Sequence, residues 1–366
     1  MQELKNRYLS LDVFRGMDVA LMIVVNSAGN YTTTYSPLLH AKWDGFTITD
    51  LVFPTFLFVV GNSMSFSMGR YEAMGDGEFL KKIVKRTAII FLLGFLMYWF
   101  PFFENGHLKP LNETRIFGVL QRIALCYFFA ALVIHYLKVK GAIIFSLVAL
   151  LLYRVLLGAV GDFSLTGNVV LKLDAWLIGE SHMYRGEGLA FDPEGLLSTL
   201  PAIVNVIAGY LAGMFIQKNG QNYETLAKMM MAGCALVFMA LWWDLFFPIN
   251  KKLWTSSFVM HTVGIDLLVL PILIFIIDIA GKTKWTYFFQ VFGKNTLFIY
   301  LVSEVFVILL GTFNVGEQTA YSWVALNIFE KTLGDYNGSL GFALWIMLTC
   351  WVVGYVMDRR KIYVKV

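Results

Sequence analysis

Asn26 to Gly61 reads NSAGNYTTTYSPLLHAKWDGFTITDLVFPTFLFVVG, and this stretch decides how the chain is to be folded. It is a polar hinge between two apolar runs, each about as long as a bilayer core is thick. The hinge holds His40, one of only five histidines, and Asp50 stands at the mouth of the run that follows. An imidazole titrates near neutral pH, and ionisable groups set beside hydrocarbon are costly, so their presence at membrane depth points to function. His40 is therefore the first candidate for chemistry.

Outward from the hinge the same alternation of long apolar runs and short polar connections continues along nearly the whole chain. The composition agrees: 58% of residues are hydrophobic and 15% charged, against about a quarter charged in soluble proteins. The sequence predicts an all-α polytopic membrane helix bundle, one transmembrane domain over residues 1–366. Runs of about 20 residues, enough to cross about 30 Å at 1.5 Å per residue, predict about ten transmembrane helices. Their expected spans are about 9–28, 47–69, 83–103, 115–137, 142–160, 196–217, 226–247, 256–280, 291–312 and 339–357. The short Phe-rich approach at Tyr287–Phe292 is expected to join the ninth as one tilted helix.

Charge sets the orientation. With the amino terminus inside, most of the 29 Lys and Arg fall on inner ends and loops, so both termini are expected to be cytoplasmic. The basic clusters at Lys81, Lys82, Lys85, Arg86 and at Arg359, Arg360, Lys361 read as topology signals, and no stripe suited to nucleic acid is present. Asp12, Arg15 and Asp18 interrupt what would be the apolar core of a signal peptide, so the first run is expected to stay as a helix. Cys126, Cys234 and Cys350 lie singly in apolar runs and read as buried small hydrophobes, with no disulfide framework. Trp99, Trp242, Trp243, Trp254 and Trp285 fall near span ends, as interfacial belts do.

Polar groups collect toward the outer end. Asn26 closes the first helix, His40 sits in the hinge, Asp50 opens the second, Gln121 and Arg122 lie in the fourth, and Glu304 in the ninth, while Asp244 and His261 flank the turn between the seventh and eighth. The histidines lack the close helical pairing of zinc sites, so no metal is expected. At the inner end, Asp12 and Arg15 share a helix face. Either they are a snorkelling pair, or Arg15 holds a phosphate-bearing ligand, with Lys294 in GKN assisting or simply reaching for headgroups. DPEG at Asp192–Gly195 reads as a turn and helix start, with Asp192 as cap and Pro193 at the first helical position. Gly61, Gly94, Gly118, Gly209 and Gly213 suit close helix packing, within the chain or between two copies in a homodimer.

Six motifs carry a resemblance: LDVFRG at Leu11–Gly16, HAKWDGFTITDLVFPTFLFVVGNS at His40–Ser63, RIFGVLQR at Arg115–Arg122, FDPEGLLST at Phe191–Thr199, PINKKLWTSSF at Pro248–Phe258 and GKNTLFIYLVSEVF at Gly293–Phe306. In this order, across nearly the whole chain, they resemble the heparan-alpha-glucosaminide N-acetyltransferase family of transmembrane acyltransferases, in the form of a compact bacterial member of the inner membrane. The resemblance implies acetyl transfer from cytoplasmic acetyl-CoA to an amino sugar on the far side. It places the catalytic histidine at His40 and the asparagine before it at Asn26, and Asp50, Arg122, Asn295 and Glu304 match family positions. Asp18, Asp244, His261 and Lys294 depart from the lysosomal pattern. The expected roles are catalysis by His40, as base or as transient acetyl carrier, with Asn26 and Asp50, acceptor binding by Arg122, Glu304, Asn295 and His261, and CoA phosphate binding by Arg15 and Lys294. A transporter moving an amino sugar through the same polar cavity is the alternative, although the duplicated halves common in transporters are not visible.

Overall fold

The first helix, α1 (Leu9–Asn26), is the axis of the molecule. In the computed structural model, which describes residues 8–72, 74–104 and 106–364, α1 packs against five other helices. These are α2 (Ile48–Met64), α9 (Ser256–Ile274), α10 (Thr286–Lys294), α11 (Thr296–Thr312) and α14 (Asp335–Arg359). Between them in the chain come α3 (Met68–Glu72), α4 (Asp76–Trp99), α5 (Val119–Val160), α6 (Val169–Ile178), α7 (Leu196–Asn219), α8 (Tyr223–Asp244), and two short pieces, α12 (Ala320–Val324) and α13 (Lys331–Leu333). Strands amount to two hairpins of two-residue arms, Phe103–Glu104 with His107–Leu108 and Asn314–Val315 with Gln318–Thr319.

The protein is mostly helical, as the apolar periodicity requires. Among the described residues five helices are long and apolar enough to cross a membrane: α5, α7, α8, α9 with its π-helical continuation to Ile279, and α14. The pair α10 and α11 makes a sixth if counted as one broken span. Large apolar side chains such as Leu147, Leu151, Val155, Phe238 and Trp242 face outward, an arrangement that only a lipid environment makes favourable over so much surface. The chain ends, residues 1–7 and 365–366, lie outside the described residues.

Several expectations are corrected. The approach Tyr287–Phe292 does not continue into the next helix: α10 and α11 meet at 85°. The bend is at Asn295, whose φ of −128° and ψ of 40° leave helical geometry. Its side chain ties down the carboxy-terminal tail, donating to Ile362 O at 3.0 Å and accepting from Val364 N at 2.9 Å. The basic stretch before the third expected span is itself helical, since α4 begins at Asp76. The break expected between the spans at 115–137 and 142–160 is present: α5 leaves helical geometry at Lys138, with φ 54° and ψ −172°, and so forms two arms. The long segment between α5 and α7 holds a helix of its own, α6. Cys234 is exposed, while Cys126 and Cys350 are buried.

Glycine sets the close approach of α2 and α7. A Cβ placed on Gly61 would lie 1.8 Å from Val206 O, and one on Gly209 would lie 1.8 Å from Phe58 O. So α2 and α7 touch backbone to backbone, which only a residue without a side chain allows. The Gly209 and Gly213 stripe is thus used inside the chain, Gly213 facing Ser65, and not between copies. Replacing Gly209 by Val must part these helices, and overpacking of this kind costs about 1–3 kcal/mol. The variant is expected to melt several degrees lower in detergent, as followed by circular dichroism.

Candidate active site

The site is assembled where α1 ends and α2 begins. Thr47 precedes α2 and Asp50 is its third residue, the spacing of a capping box. Accordingly Asp50 Oδ2 accepts from Thr47 N at 3.0 Å and Thr47 Oγ1 at 3.1 Å, and also from Ala41 N at 3.1 Å. Those three donors hold the carboxylate still and leave Oδ1 free. His40 Nδ1 lies 2.7 Å from that oxygen. Asp50 is 1% exposed and His40 41%, so the carboxylate is buried and the ring stands in the mouth.

An ionised carboxylate only accepts hydrogen bonds, so the proton of this pair is on Nδ1 and the lone pair of neutral His40 is on Nε2. Nε2 faces Lys251 Nζ at 3.2 Å. Both line a cavity of about 50 Å³, together with Asn26 at the end of α1, Thr49 on α2 and Glu194 before α7. Burial lowers the His40 pKa below its ordinary 6.5 and the Lys251 cation lowers it further, while the hydrogen bond to Asp50 and its charge work the other way. The base is therefore unprotonated at neutral pH.

The wall behind the cavity is made of charges the hinge alone does not reveal. Arg115 forms a two-pronged pair with Asp192, at 3.0 and 2.6 Å, and reaches Glu194 at 2.7 Å. Its guanidinium lies between the rings of Tyr98 and Tyr184, 5.0 and 4.8 Å from their centroids. Burial alone would raise the Glu194 carboxyl, but the Arg115 cation, aided by Lys251 and Arg122, holds it below the ordinary glutamate range. Asp192 consequently does not cap α7. That role falls to Asp174 of α6, whose Oδ1 accepts from Leu196 N at 3.0 Å.

Arg122 is fully buried behind the cavity. It donates to Gly195 O at 3.0 Å and to the Ser198 hydroxyl, and stacks 4.8 Å over Trp254. Trp254, expected in an interfacial belt, is instead among the largest fully buried side chains, its indole N–H donating to Asn205 Oδ1 at 3.1 Å. Glu304 of α11 lies close to the Asn26 side chain. The structure thus brings His40, Asp50, Asn26 and Glu304 to one end, with Arg122 behind them.

Other candidates lie elsewhere. Asn295 is nine residues from Glu304, about 13 Å along a helix, and is occupied by the carboxy-terminal tail. His261, on α9, packs edge-on against Phe46 at 4.7 Å and does not line the cavity. Asp244 accepts from Ile249 N at 2.6 Å and so closes the turn after α8. At the opposite end of α1, Arg15 donates to Ser63 and to Gly293 O at 3.5 Å, with Asp12 at 3.9 Å. Lys294 pairs with Asp358 at 2.8 Å. Among the described residues no group of three or more His, Cys, Asp or Glu is placed to hold a metal ion.

Sequence reading passed over Glu194 and Lys251. The signal for both was a charged residue inside an otherwise structural motif: Glu194 in DPEG, where a cap and a proline already explained the turn, and Lys251 in PINKK, where one of two lysines faces the cavity.

The bundle and its pocket define a helical membrane protein with a carboxylate-oriented histidine at one end. Comparison with known proteins is specific: the model of a family described as heparan-alpha-glucosaminide N-acetyltransferase, catalytic, matches residues 7–242. The chain belongs to that family. It is 27% identical to the human heparan-alpha-glucosaminide N-acetyltransferase over its full length and 27% identical to the mouse protein of that name over 99% of it. In each case it covers 61% of the relative, so the chain spans about three fifths of the length of the curated proteins it matches.

Two measurements check the electrostatics. In Lys251→Met the cation that disfavours imidazolium is gone, so the His40 pKa is expected to rise, seen as an upward shift in its NMR titration with His40→Gln identifying the signal. Arg115→Ala leaves two buried carboxylates without their counter-ion, and loss of one partner of such a group costs about 3–5 kcal/mol, to be read as a large drop in melting temperature.

Proposed function

We propose that this chain transfers an acetyl group from acetyl-CoA, on the cytoplasmic side of a bacterial inner membrane, to the amine of an amino sugar on the periplasmic side. The observation that carries the reading is the His40–Asp50 pair, with Nε2 turned into a cavity, standing in the sequence motif of an N-acetyltransferase family. A thioester yields its acyl group when an amine is deprotonated beside its carbonyl and the oxyanion is stabilised. His40 Nε2 takes the proton. Asp50 holds the tautomer and favours the imidazolium that forms, and Asn26, steadied by Glu304, donates to the oxyanion.

Ten crossings fit the same reading: α1, α2, α4, the two arms of α5, α7, α8, α9, α11 and α14, which leaves both chain ends inside. Over residues 1–366 they make one acyltransferase domain, a bundle whose apolar outer faces meet lipid tails and whose basic inner loops meet headgroups. The donor enters from inside. Arg15 and Lys294 stand at the inner end of α1 and would exchange Asp12 and Asp358 for its phosphates. From Arg15 to Asn26 is eleven residues of helix, about 16 Å, a span that the pantetheine arm bridges. The relatives' name specifies a glucosaminide of heparan, and a terminal glucosamine-like amine is the acceptor class this pocket takes.

The test is labelled acetyl-CoA, purified protein in detergent and a panel of amino sugars. Acetylated sugar is expected from the native chain, with the rate reduced on the order of 10²–10⁴-fold in His40→Ala and in Asp50→Asn. Full activity in His40→Ala, or sugar uptake into vesicles with no acetylation, refutes the assignment.

A further inference from the structure

Two adjacent lysines in the turn Pro248–Trp254 have different surroundings. Lys252 Nζ is held by two partners outside the cavity: it pairs with Glu187 at 2.5 Å and donates to Lys42 O at 2.7 Å. Lys251 is turned the other way, into the cavity, where its Nζ meets His40 Nε2 at 3.2 Å. The turn is clamped, so this aim is built in. Asn250 N donates to Thr255 Oγ1 at 3.0 Å, Asn250 Nδ2 to Asp44 Oδ1 at 3.0 Å, and Gly45 N to Ile249 O at 2.8 Å.

Amine, imidazole and carboxylate therefore stand in line, Lys251 to His40 to Asp50, with separations of 3.2 and 2.7 Å. This is the arrangement of a nucleophile, a base and the group that orients the base. We propose that Lys251 is itself an acylation site: with no acceptor bound, its ε-amine attacks the carbonyl of an acyl thioester seated beside His40. The inference rests on the acyl-donor reading above. In the step, Nζ forms a bond to the acyl carbon and the carbon–sulfur bond breaks. The electron pair leaves on the thiolate, and the proton that Nε2 takes from nitrogen passes to that sulfur. Nothing is oxidised or reduced.

Burial favours the neutral, nucleophilic form of this lysine, against the opposing pull of Glu194 and Asp50. The product is an amide and does not return its acyl group, so Lys251 is no shuttle. It loses its charge and fills a cavity of about 50 Å³, which closes the pocket. An acceptor amine competes for the same place beside Nε2 and protects the enzyme.

The experiment uses the full chain in detergent without acceptor, treated in parallel with acetyl-CoA and with p-nitrophenyl acetate, then digested and mapped by mass spectrometry. Lys252, its neighbour, is the internal control. Acetylation of Lys251 is expected to run roughly tenfold or more ahead of Lys252, and to fall by a similar factor in His40→Gln. In the native chain, saturation with an amino sugar that is acetylated must also suppress it, a readout that needs no variant to fold. If the sugar is acetylated while Lys251 stays unmodified, this proposal fails and the transferase reading stands. If the ester labels Lys251 in a His40-dependent way and acetyl-CoA labels neither lysine nor sugar, the reactive lysine stands and acetyl-CoA is not the donor. Equal labelling of Lys251 and Lys252 by both reagents overturns the proposal outright.

Discussion

The two oxygens of Asp50 divide the work on which the rest depends. One accepts from two backbone N–H groups and from the Thr47 hydroxyl, and so starts α2. The other is thereby aimed at His40 and decides which ring nitrogen carries the proton. A capping carboxylate is common at helix starts, but here the helix start and the base are built from the same side chain. The chemistry at the mouth is coupled to the correct entry of α2 into the bundle, and α2 in turn is seated on α7 by a backbone contact with no tolerance for a side chain.

Around this pair the bundle has to bury an unusual amount of charge, and it does so by pairing. Arg115 answers two carboxylates, and Arg122 answers Gly195 O, Ser198 and the face of Trp254. An isolated ion in such surroundings costs several kcal/mol, so these partners belong to the fold as much as to the site. Deeper in, Asp18 of α1 and Asp266 of α9 lie within electrostatic reach of one another, with Thr55 Oγ1 donating to Asp266 at 2.7 Å. One oxygen on each carboxyl has no partner among the described residues.

Local patterns in the chain were legible where the physics is local. Apolar run length announced the helices, and Asp50 was legible at the mouth of the run that follows His40. Reading failed where one side chain had two plausible local explanations. DPEG satisfied the rules for a cap, yet Asp192 answers an arginine 77 residues away while Asp174, on a helix inside what read as a loop, does the capping. Trp254 looked interfacial because it stands near a span end, but a guanidinium lies over it and the indole has an asparagine to donate to. Asn295 matched a family position, but its amide is taken up by the tail from Ile362 to Val364.

The sequence by itself determined that this is a helical membrane protein of a recognisable acyltransferase family, because hydrophobic length and motif order are properties of neighbours along the chain. Tertiary structure alone decided which polar groups meet. His40 and Lys251 are 211 residues apart and Asn26 and Glu304 nearly 280, and no periodicity encodes such an encounter. The physical reason is that burial and Coulomb interaction depend on distance in space, and the helices that bring those residues together are seated by packing along their whole length.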